Sequence, residues 1–560
     1  MPRSVATIFQ IAQKISYFAI GLAAFLLVYN IVFVRIYSVA PTDLGLAGRL
    51  PMSFWIGLAI VGVVWFTGLK SIRVLAIALA LTVAYLFVAP AMIRVPVWLS
   101  NSYYPFGESV LMNSSGHLVD YPSTTLNSYH YWPLFLYFAS EFLQITGIPH
   151  YVILKYFPLL IISMYVLLVF LILRVKLKAT YAIFGAGLFS ASFWLRQQYF
   201  GPPGIGYIFF LLGVLIVSHL FFVEKAKKTT LAALFILVFI IVTSTHVLSS
   251  FMLIAVLVSL YLARRLTHEH ALTAMSPLFV FCTTFFLSYN MFLAPTFFNL
   301  TSRTYYRILS LSKELGLFKE PSRVAGSAAQ VLNYRCTLGI MLIGVAVALV
   351  GMLLTLRKGF SRKRLSMDGY SLFWAILSML LIAFAVSAEY GPHEAYQRAF
   401  MFGLVPLSYF CVIALSKKPK LFPLVILVLL FLNIPAQYGA DSYTLTRNSK
   451  LSGAAFFANY TPQDITCFYD FSLEIRYYNP LKQVKFLIVA SLPFTSVPNA
   501  SSVNQVLSKA DYVIVSDKQN NYYYYFLSQN PLDQVNMNQF NRLYDNSAFL
   551  LLQQSNKTLP

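Results

Sequence analysis

Charged residues are scarce in this sequence. Lys, Arg, Asp and Glu together make up 11% of the 560 residues, whereas 58% are hydrophobic and the mean hydropathy is +0.69. A soluble domain needs more polar side chains than this, because its outer shell must face water. The composition therefore excludes an ordinary soluble protein and predicts one that is embedded in a membrane.

Cysteine is also rare, and the four cysteines offer neither a Cys-x-x-Cys pair nor the spacing of a metal site. Cys282 and Cys411 fall within apolar runs, where we expect them to be packing residues. Cys336 and Cys467 are both predicted to face outward. The sequence therefore leaves a disulfide between these two open.

Acidic residues are outnumbered, with 19 Asp and Glu against 41 Lys and Arg, which gives a formal net charge of +22. In a soluble protein this excess would suggest nucleic acid. Here the cations occupy mainly the short polar breaks between apolar runs, as the positive-inside rule requires. We therefore expect membrane lipids as partners and assign no nucleic-acid role.

Long apolar runs recur from Ser16 to Ala436, and a helix of about 20 residues crosses a hydrocarbon core of about 30 Å. Placing the cation clusters in the cytoplasm predicts about thirteen transmembrane helices, with the N-terminus cytoplasmic and the C-terminus outside the cell membrane. The first run lacks a small-residue cleavage site and predicts a retained signal anchor. The predicted spans lie near 16–36, 53–69, 74–93, 151–173, 179–196, 204–223, 230–245, 247–263, 271–295, 336–356, 369–388, 398–415 and 420–436.

Two further patterns agree with this map. All of the Asn-x-Ser/Thr sequons fall on its outer face. The run Tyr131 to Thr146 is too short for a crossing and contains Glu141, so we interpret it as a helix lying in the outer interface. The sequons begin at Asn113, Asn299, Asn459, Asn499 and Asn556.

The outer loops 94–150 and 296–334 are the large polar segments of the multispan part, 1–438, and a third, shorter one ends at Arg398. Outer cations are exceptions to the charge rule, and an anionic ligand such as a lipid phosphate would explain them. We expect Arg398 to bind a phosphate, although a salt bridge to Glu394 or snorkelling to head groups stays open. His246 is either a hairpin residue bonded to nearby backbone or a further ligand. The remaining candidates for substrate binding are His393, Glu394, Arg196 and Arg335.

At this point several motifs, in this order, resemble those of GT-C glycosyltransferases, in particular their archaeal members. They are YWP at the start of the interfacial helix, QQYFGPPGIGYIFFLL, the STH hairpin, HEAYQRAFMFGLVPL and FNRLYDNSAFLLLQQ. The resemblance implies an enzyme that takes a sugar from a polyprenyl (dolichyl) phosphate carrier. The acceptor, a protein, glycan or lipid, would be met at the outer face.

The family usually places an acidic residue early in its first outer loop, as a general base or as a ligand for a divalent cation such as Mg²⁺ or Mn²⁺. Where relatives tend to carry Asp, this chain reads Asn101-Ser102-Tyr103-Tyr104. Glu108 and Asp120 are the acidic residues of this loop before the interfacial helix, and they are the candidate catalytic carboxylates. No Trp-Trp pair occurs, which argues against the usual N-glycan transferase.

From residue 439 the composition turns polar, and short β-like runs alternate with helical ones up to residue 560. The predicted strands are ITCFYD, VKFLIVAS and DYVIVSD, and LYDNSAFLLLQ is predicted to form a closing hairpin. This alternation predicts a small extracytoplasmic α/β domain. Asp470 and Asp517 at strand ends indicate either ligand binding or helix capping and turn formation, and the run Tyr522 to Tyr525 either stacks on sugar or packs. Two other functions stay open, a transporter or flippase of anionic cargo and a catalytically silent GT-C-like scaffold.

Overall fold

The structure is a computed structural model of the chain. It describes residues 3–40, 42–98, 100–118, 128–195, 198–223, 227–265, 275–295, 326–358, 367–387, 394–469, 473–479, 482, 484–487, 498–535 and 537–555.

Helices dominate the first 438 residues, because backbone groups among apolar side chains must find their hydrogen-bond partners within the segment. A helix occupies each of the thirteen predicted spans, and two more, α4 and α5, lie in segment 94–150. The bounds are α1 Arg3–Phe33, α2 Met52–Thr67, α3 Ile72–Ile93, α4 Tyr103–Ser115, α5 Leu134–Thr146, α6 His150–Arg174, α7 Ala179–Ser192, α8 Pro202–Phe222, α9 Lys228–Thr245, α10 Val247–Arg265, α11 Met275–Phe292, α12 Ala328–Lys358, α13 Met367–Ser387, α14 Glu394–Ser416 and α15 Leu421–Tyr438.

Nine helices are long and apolar enough to cross a membrane, by length and composition, within the described part of the chain. The exact number of crossings and the side on which the termini lie stay predictions. Helix α5 has 13 residues, too few to span, and buries Phe135 and Leu136 while Ile145 is exposed. The length agrees with a helix that does not cross the membrane, whereas its position in the outer interface stays a prediction.

Buried polar side chains hold the ends of the helices in place. Asn433 of α15 donates its Nδ2 hydrogens to the carbonyls of Ala191 and Phe193, at 3.0 and 3.1 Å. These carbonyls lie at the end of α7, where the helix no longer provides partners for them. The bond fixes the segment that leads from α7 into α8.

The C-terminal part is a small α/β domain, as predicted. Its five-stranded sheet has the order β4-β3-β5-β7-β6, in which β3, β4 and β5 are parallel and β7 is antiparallel to both neighbours. The three runs predicted as strands and the closing hairpin all appear in it. The elements are α16 Asn448–Tyr460, β3 Ile465–Phe468, α17 Leu473–Tyr478, β4 Val484–Leu487, α18 Ala500–Leu507, β5 Tyr512–Ser516, α19 Asp517–Leu527, β6 Phe540–Asp545 and β7 Phe549–Gln554.

This domain is tied to the helical bundle at one end, which we call the domain end. Strand β1 (Val97–Trp98) follows α3 and pairs antiparallel with β2 (Leu445–Thr446). Beside them, Arg94 Nη1 lies 3.0 Å from Asp441 Oδ2, with both side chains at most 2% exposed. The guanidinium also lies 4.8 Å from the ring centroid of Tyr438. A paired strand and a buried ion pair thus fix how the domain sits on the bundle.

The disulfide left open by the sequence does not form. All four cysteines are free and buried. Cys336 belongs to the apolar core of the helical bundle, whereas Cys467 lies in the core beneath the C-terminal sheet. Because the two thiols lie in separate cores, they cannot form a disulfide in this fold.

Candidate functional site

Helix α4 carries the acidic residue that the sequence singled out in segment 94–150. It packs directly against α17 of the C-terminal domain, because Gly107 has no side chain. A Cβ at this position would lie 2.6 Å from the Cα of Tyr477 and 3.0 Å from the carbonyl oxygen of Arg476. The glycine therefore allows the two helices to approach, and it sets Glu108, the next residue, at their junction.

Glu108 is almost fully buried, with 3% of its surface exposed. Its Oε2 lies 3.3 Å from Nε2 of His130, which belongs to the short 3₁₀ turn Ser128–Tyr131. The His130 side chain is partly exposed, at 21%. A carboxylate thus lies inside the protein, hydrogen-bonded to an imidazole that reaches the surface.

Tyr104 lies one helical turn before Glu108, on the same face of α4. The guanidinium of Arg476 lies 5.0 Å from the centre of the Tyr104 ring and also hydrogen-bonds its hydroxyl. Burial, and next the charge of Glu108, raise the pKa of Tyr104. The phenol therefore stays protonated beside the carboxylate. We call Glu108, His130, Tyr104 and Arg476 the carboxylate cluster.

A second group, the hairpin cluster, consists of His246, Ser249 and Arg398. His246 lies between α9 and α10 and packs against Gly206 of α8, where a Cβ would lie 2.6 Å from the His246 Cβ. Its Nδ1 lies 2.9 Å from Ser249 Oγ and 3.3 Å from Ser249 N, whose hydrogen it accepts. Burial, and next the charge of Arg398, lower the pKa of His246 to about 3. The imidazole is therefore neutral and carries its proton on Nε2.

The side chain of Tyr289 lies between the two clusters and hydrogen-bonds a residue near each. The hydroxyl of Tyr289 in α11 donates to the carbonyl of Tyr131, at 3.1 Å, and hydrogen-bonds Ser244. Tyr131 follows His130, and Ser244 lies two residues before His246. The structure thus brings three predicted site residues, Glu108, His246 and Arg398, to the domain end of the bundle.

The other predicted residues are not part of this arrangement as described. Arg335 is exposed on α12. Asp120, His393 and Arg196 lie outside the described residues, and so does the side chain of Glu394. Their roles stay predictions.

Sequence reasoning missed three members of the carboxylate cluster. Tyr104 could have been found from its four-residue spacing to Glu108, and His130 from its place in a polar loop beside the YWP motif. Arg476 carries no such signal, because only the fold brings the C-terminal domain to α4.

No three His, Cys, Asp or Glu side chains come together in a metal-binding group among the residues that the structure describes. Glu108 and His130 supply two donors, and they are hydrogen-bonded to each other. The divalent cation suggested by the family resemblance therefore stays a prediction, and no chemistry is derived through it.

Two features of the C-terminal domain are structural. Asp517 lies in the first turn of α19 and pairs with Arg447 at 3.1 Å. Tyr523 and Tyr525 are buried in the same helix. Asp517 thus lies at the start of a helix whose N-cap is Ser516, and the two tyrosines pack inside the domain. Asp470 lies outside the described residues.

No family model matches the chain, and no curated protein matches its sequence. Among solved structures, the chain is similar to the Archaeoglobus fulgidus oligosaccharyltransferase tethered with an acceptor peptide, at 12% identity and a TM-score of 0.46, covering 82% of this chain and 70% of that one. It is also similar to ArnT from Cupriavidus metallidurans bound to undecaprenyl phosphate, at 12% identity and a TM-score of 0.39, covering 90% and 98%. Both are GT-C glycosyltransferases, the superfamily that the sequence motifs resemble. At these identities and TM-scores, neither similarity establishes an activity for this chain.

Proposed function

We propose that this protein is a membrane glycosyltransferase that moves a sugar from a polyprenyl-phosphate carrier to an acceptor at the domain end of the bundle. The observation that carries the proposal is the buried Glu108 carboxylate, 3% exposed, with His130 Nε2 at 3.3 Å. A carboxylate that is shielded from water and linked to a partly exposed imidazole is suited to accept a proton from a substrate.

In the proposed reaction, a hydroxyl or amide of the acceptor attacks the anomeric carbon of the sugar. The bond from that carbon to the phosphate oxygen breaks, and its electron pair leaves with the polyprenyl phosphate. The acceptor's proton passes to Glu108, the general base. His130 donates its Nε2 hydrogen to Oε2 of Glu108 and so orients the carboxylate.

The hairpin cluster is the proposed site for the leaving phosphate. Arg398 supplies a guanidinium, which binds two phosphate oxygens at once. The neutral His246 adds an Nε2 hydrogen as a second donor. Together they stabilise the negative charge that develops on the phosphate as the glycosidic bond breaks.

The proposal is tested with the purified protein in liposomes and a panel of radiolabelled polyprenyl-phosphate sugars that includes undecaprenyl and dolichyl carriers. Glu108→Gln is expected to reduce transfer by about 10²–10⁴-fold, the usual contribution of a general base. Its matched control, Glu141→Gln, changes an exposed glutamate of α5 and is expected to retain transfer. Arg398→Gln is expected to weaken donor binding. Its control is Arg357→Gln, which changes an exposed arginine in the last turn of α12 and is expected to leave donor binding unchanged.

Three outcomes contradict the proposal. Full transfer by Glu108→Gln moves the catalytic role to another residue, with Asp120 next. Donor binding without transfer or hydrolysis by the wild type identifies a scaffold. Movement of intact donor between leaflets, with the sugar bond unbroken, identifies a flippase. Either of these last two results replaces the transferase assignment.

A further inference from the structure

A groove opens beside the domain ends of α3 and α6. It encloses about 400 Å³ of empty space, including the part that is open at its mouth. Phe87, Leu154 and Leu159 form its apolar walls, and Arg94, Lys155 and Gln198 are polar groups that line it. An apolar groove with a few polar groups at one end is typical of a site for an amphiphilic ligand.

Gln198 is the first sign that a ligand belongs there. Only 2% of its surface is exposed, yet neither Nε2 nor Oε1 has a hydrogen-bond partner among the residues that the structure describes. A buried amide without partners is unfavourable, so most such groups in proteins are satisfied by a neighbour, a water or a ligand. Since Gln198 lines the groove, a polar group of a ligand there would supply the missing bonds.

Lys155 gives the groove its charge. Its Nζ lies 3.4 Å from the carbonyl of Val95 and 3.4 Å from the Tyr151 hydroxyl, and no carboxylate pairs with it among the described residues. Arg94, in contrast, is neutralised by Asp441. The groove therefore has an excess of one positive charge, and it selects an anion.

The surface next to the groove is apolar. On α6, Leu160, Met164, Leu167 and Leu171 recur at helical spacing and are between 37% and 49% exposed. They form a stripe that begins near Lys155 and runs along the helix away from the domain end. A hydrocarbon chain attached to an anion in the groove would lie along this stripe.

We propose that this groove binds the phosphate headgroup of an anionic membrane lipid. Lys155 pairs with the phosphate, Gln198 hydrogen-bonds its oxygens or the adjoining ester, and the hydrocarbon chains lie on α6. The site is separate from the carboxylate and hairpin clusters, and it does not depend on the proposed transferase activity. Because Arg94 also lines it, a bound lipid lies beside the ion pair that holds the C-terminal domain.

The test uses native mass spectrometry of the delipidated full-length protein, titrated with phosphatidylglycerol. We expect one tightly bound lipid, and an affinity about fivefold lower for Lys155→Gln, since a cation near a lipid headgroup contributes about 1 kcal/mol. Gln198→Leu is expected to lower the affinity as well. Lys178→Gln, which removes an exposed lysine at the other end of the bundle, is the matched control and is expected to bind as the wild type does.

Unchanged phosphatidylglycerol binding by both Lys155→Gln and Gln198→Leu would overturn the proposal. Two further arms identify the source of the phosphate. Inorganic phosphate that displaces the lipid at millimolar concentration would assign the groove to a free anion. A polyprenyl phosphate that competes with phosphatidylglycerol for this one site would make the groove part of the donor site. Either result overturns a separate lipid site, and neither depends on whether transfer is observed.

Discussion

Two carboxylates are buried to nearly the same extent, but their partners differ. Glu474, 1% exposed, accepts from Lys450 and Lys518 at 2.9 Å each and from Thr446 at 3.0 Å, all inside the C-terminal domain. Burial raises its pKa, but the two lysines outweigh burial and lower the value to about 2. Glu108 instead lies beside an imidazole that reaches the surface. A carboxylate bonded to two lysines inside one domain stabilises that domain, whereas the carboxylate bonded to an imidazole that reaches the surface is the base that we propose for the reaction.

Removing the charge of Glu474 is the strongest test of the difference between the two carboxylates. Glu474→Gln leaves two lysines buried without an anion, and we expect it to destabilise the C-terminal domain by about 3–5 kcal/mol. Thermal unfolding, monitored by limited proteolysis, measures the loss of stability. Adding Lys450→Met to this variant is expected to restore part of the stability. An unchanged melting temperature would contradict the structural role of this ion cluster.

The same substitution at Glu108 is expected to act on activity instead. Glu108→Gln should reduce transfer by about 10²–10⁴-fold while the melting temperature stays close to that of the wild type, because His130 remains solvated when its partner becomes neutral. Unfolding curves and transfer rates are measured on the same preparation. A melting temperature that falls as far as that of Glu474→Gln would contradict the distinction between the two sites.

Lys450 is expected to make the stability of the C-terminal domain depend on pH. Burial lowers its pKa from 10.5 to about 7 in the folded protein, and the charge of Lys518 acts in the same direction. Between these two values the unfolded chain binds more protons than the folded one, so stability should rise with pH. One proton gives a slope of at most about 1.4 kcal/mol per pH unit. Unfolding from pH 7.5 to 9.5 measures it, and Lys450→Met should flatten the dependence. A stability that falls with pH in this window would refute the prediction.

The smallest expected effect concerns Arg476, which the C-terminal domain contributes to the carboxylate cluster. Arg476→Lys keeps the charge but loses the planar contact with the Tyr104 ring. We expect a change of about 0.5–1 kcal/mol, which corresponds to a few-fold lower transfer rate. Arg542→Lys, on the exposed β6–β7 hairpin, is the control. A rate equal to that of the wild type would show that Arg476 has no part in positioning Tyr104.

The sequence predicts the helical bundle well because the crossing segments are set by the length of apolar runs, and each such run contains a helix. The strands of the C-terminal domain are also predicted from local sequence: the run DYVIVSD contains strand β5. Glu108 was found because acidic residues are so rare in its loop. His130 and Arg476 were not, because their contacts with Glu108 and Tyr104 depend on tertiary packing. Whether Cys336 and Cys467 form a disulfide also depends on tertiary packing, so the sequence alone does not decide it.

The strand pair β1–β2 and the ion pair of Arg94 with Asp441 join parts of the chain that are 347 to 349 residues apart. During synthesis, segment 94–150 leaves the ribosome long before its partners exist, and closing so long a loop is slow. Until Asp441 is made, Arg94 lacks the carboxylate with which it pairs in the folded protein, and α4 lacks α17, the helix against which it packs. The carboxylate cluster is therefore completed last, so a chain that ends before residue 441 can fill the membrane with helices and still lack the site.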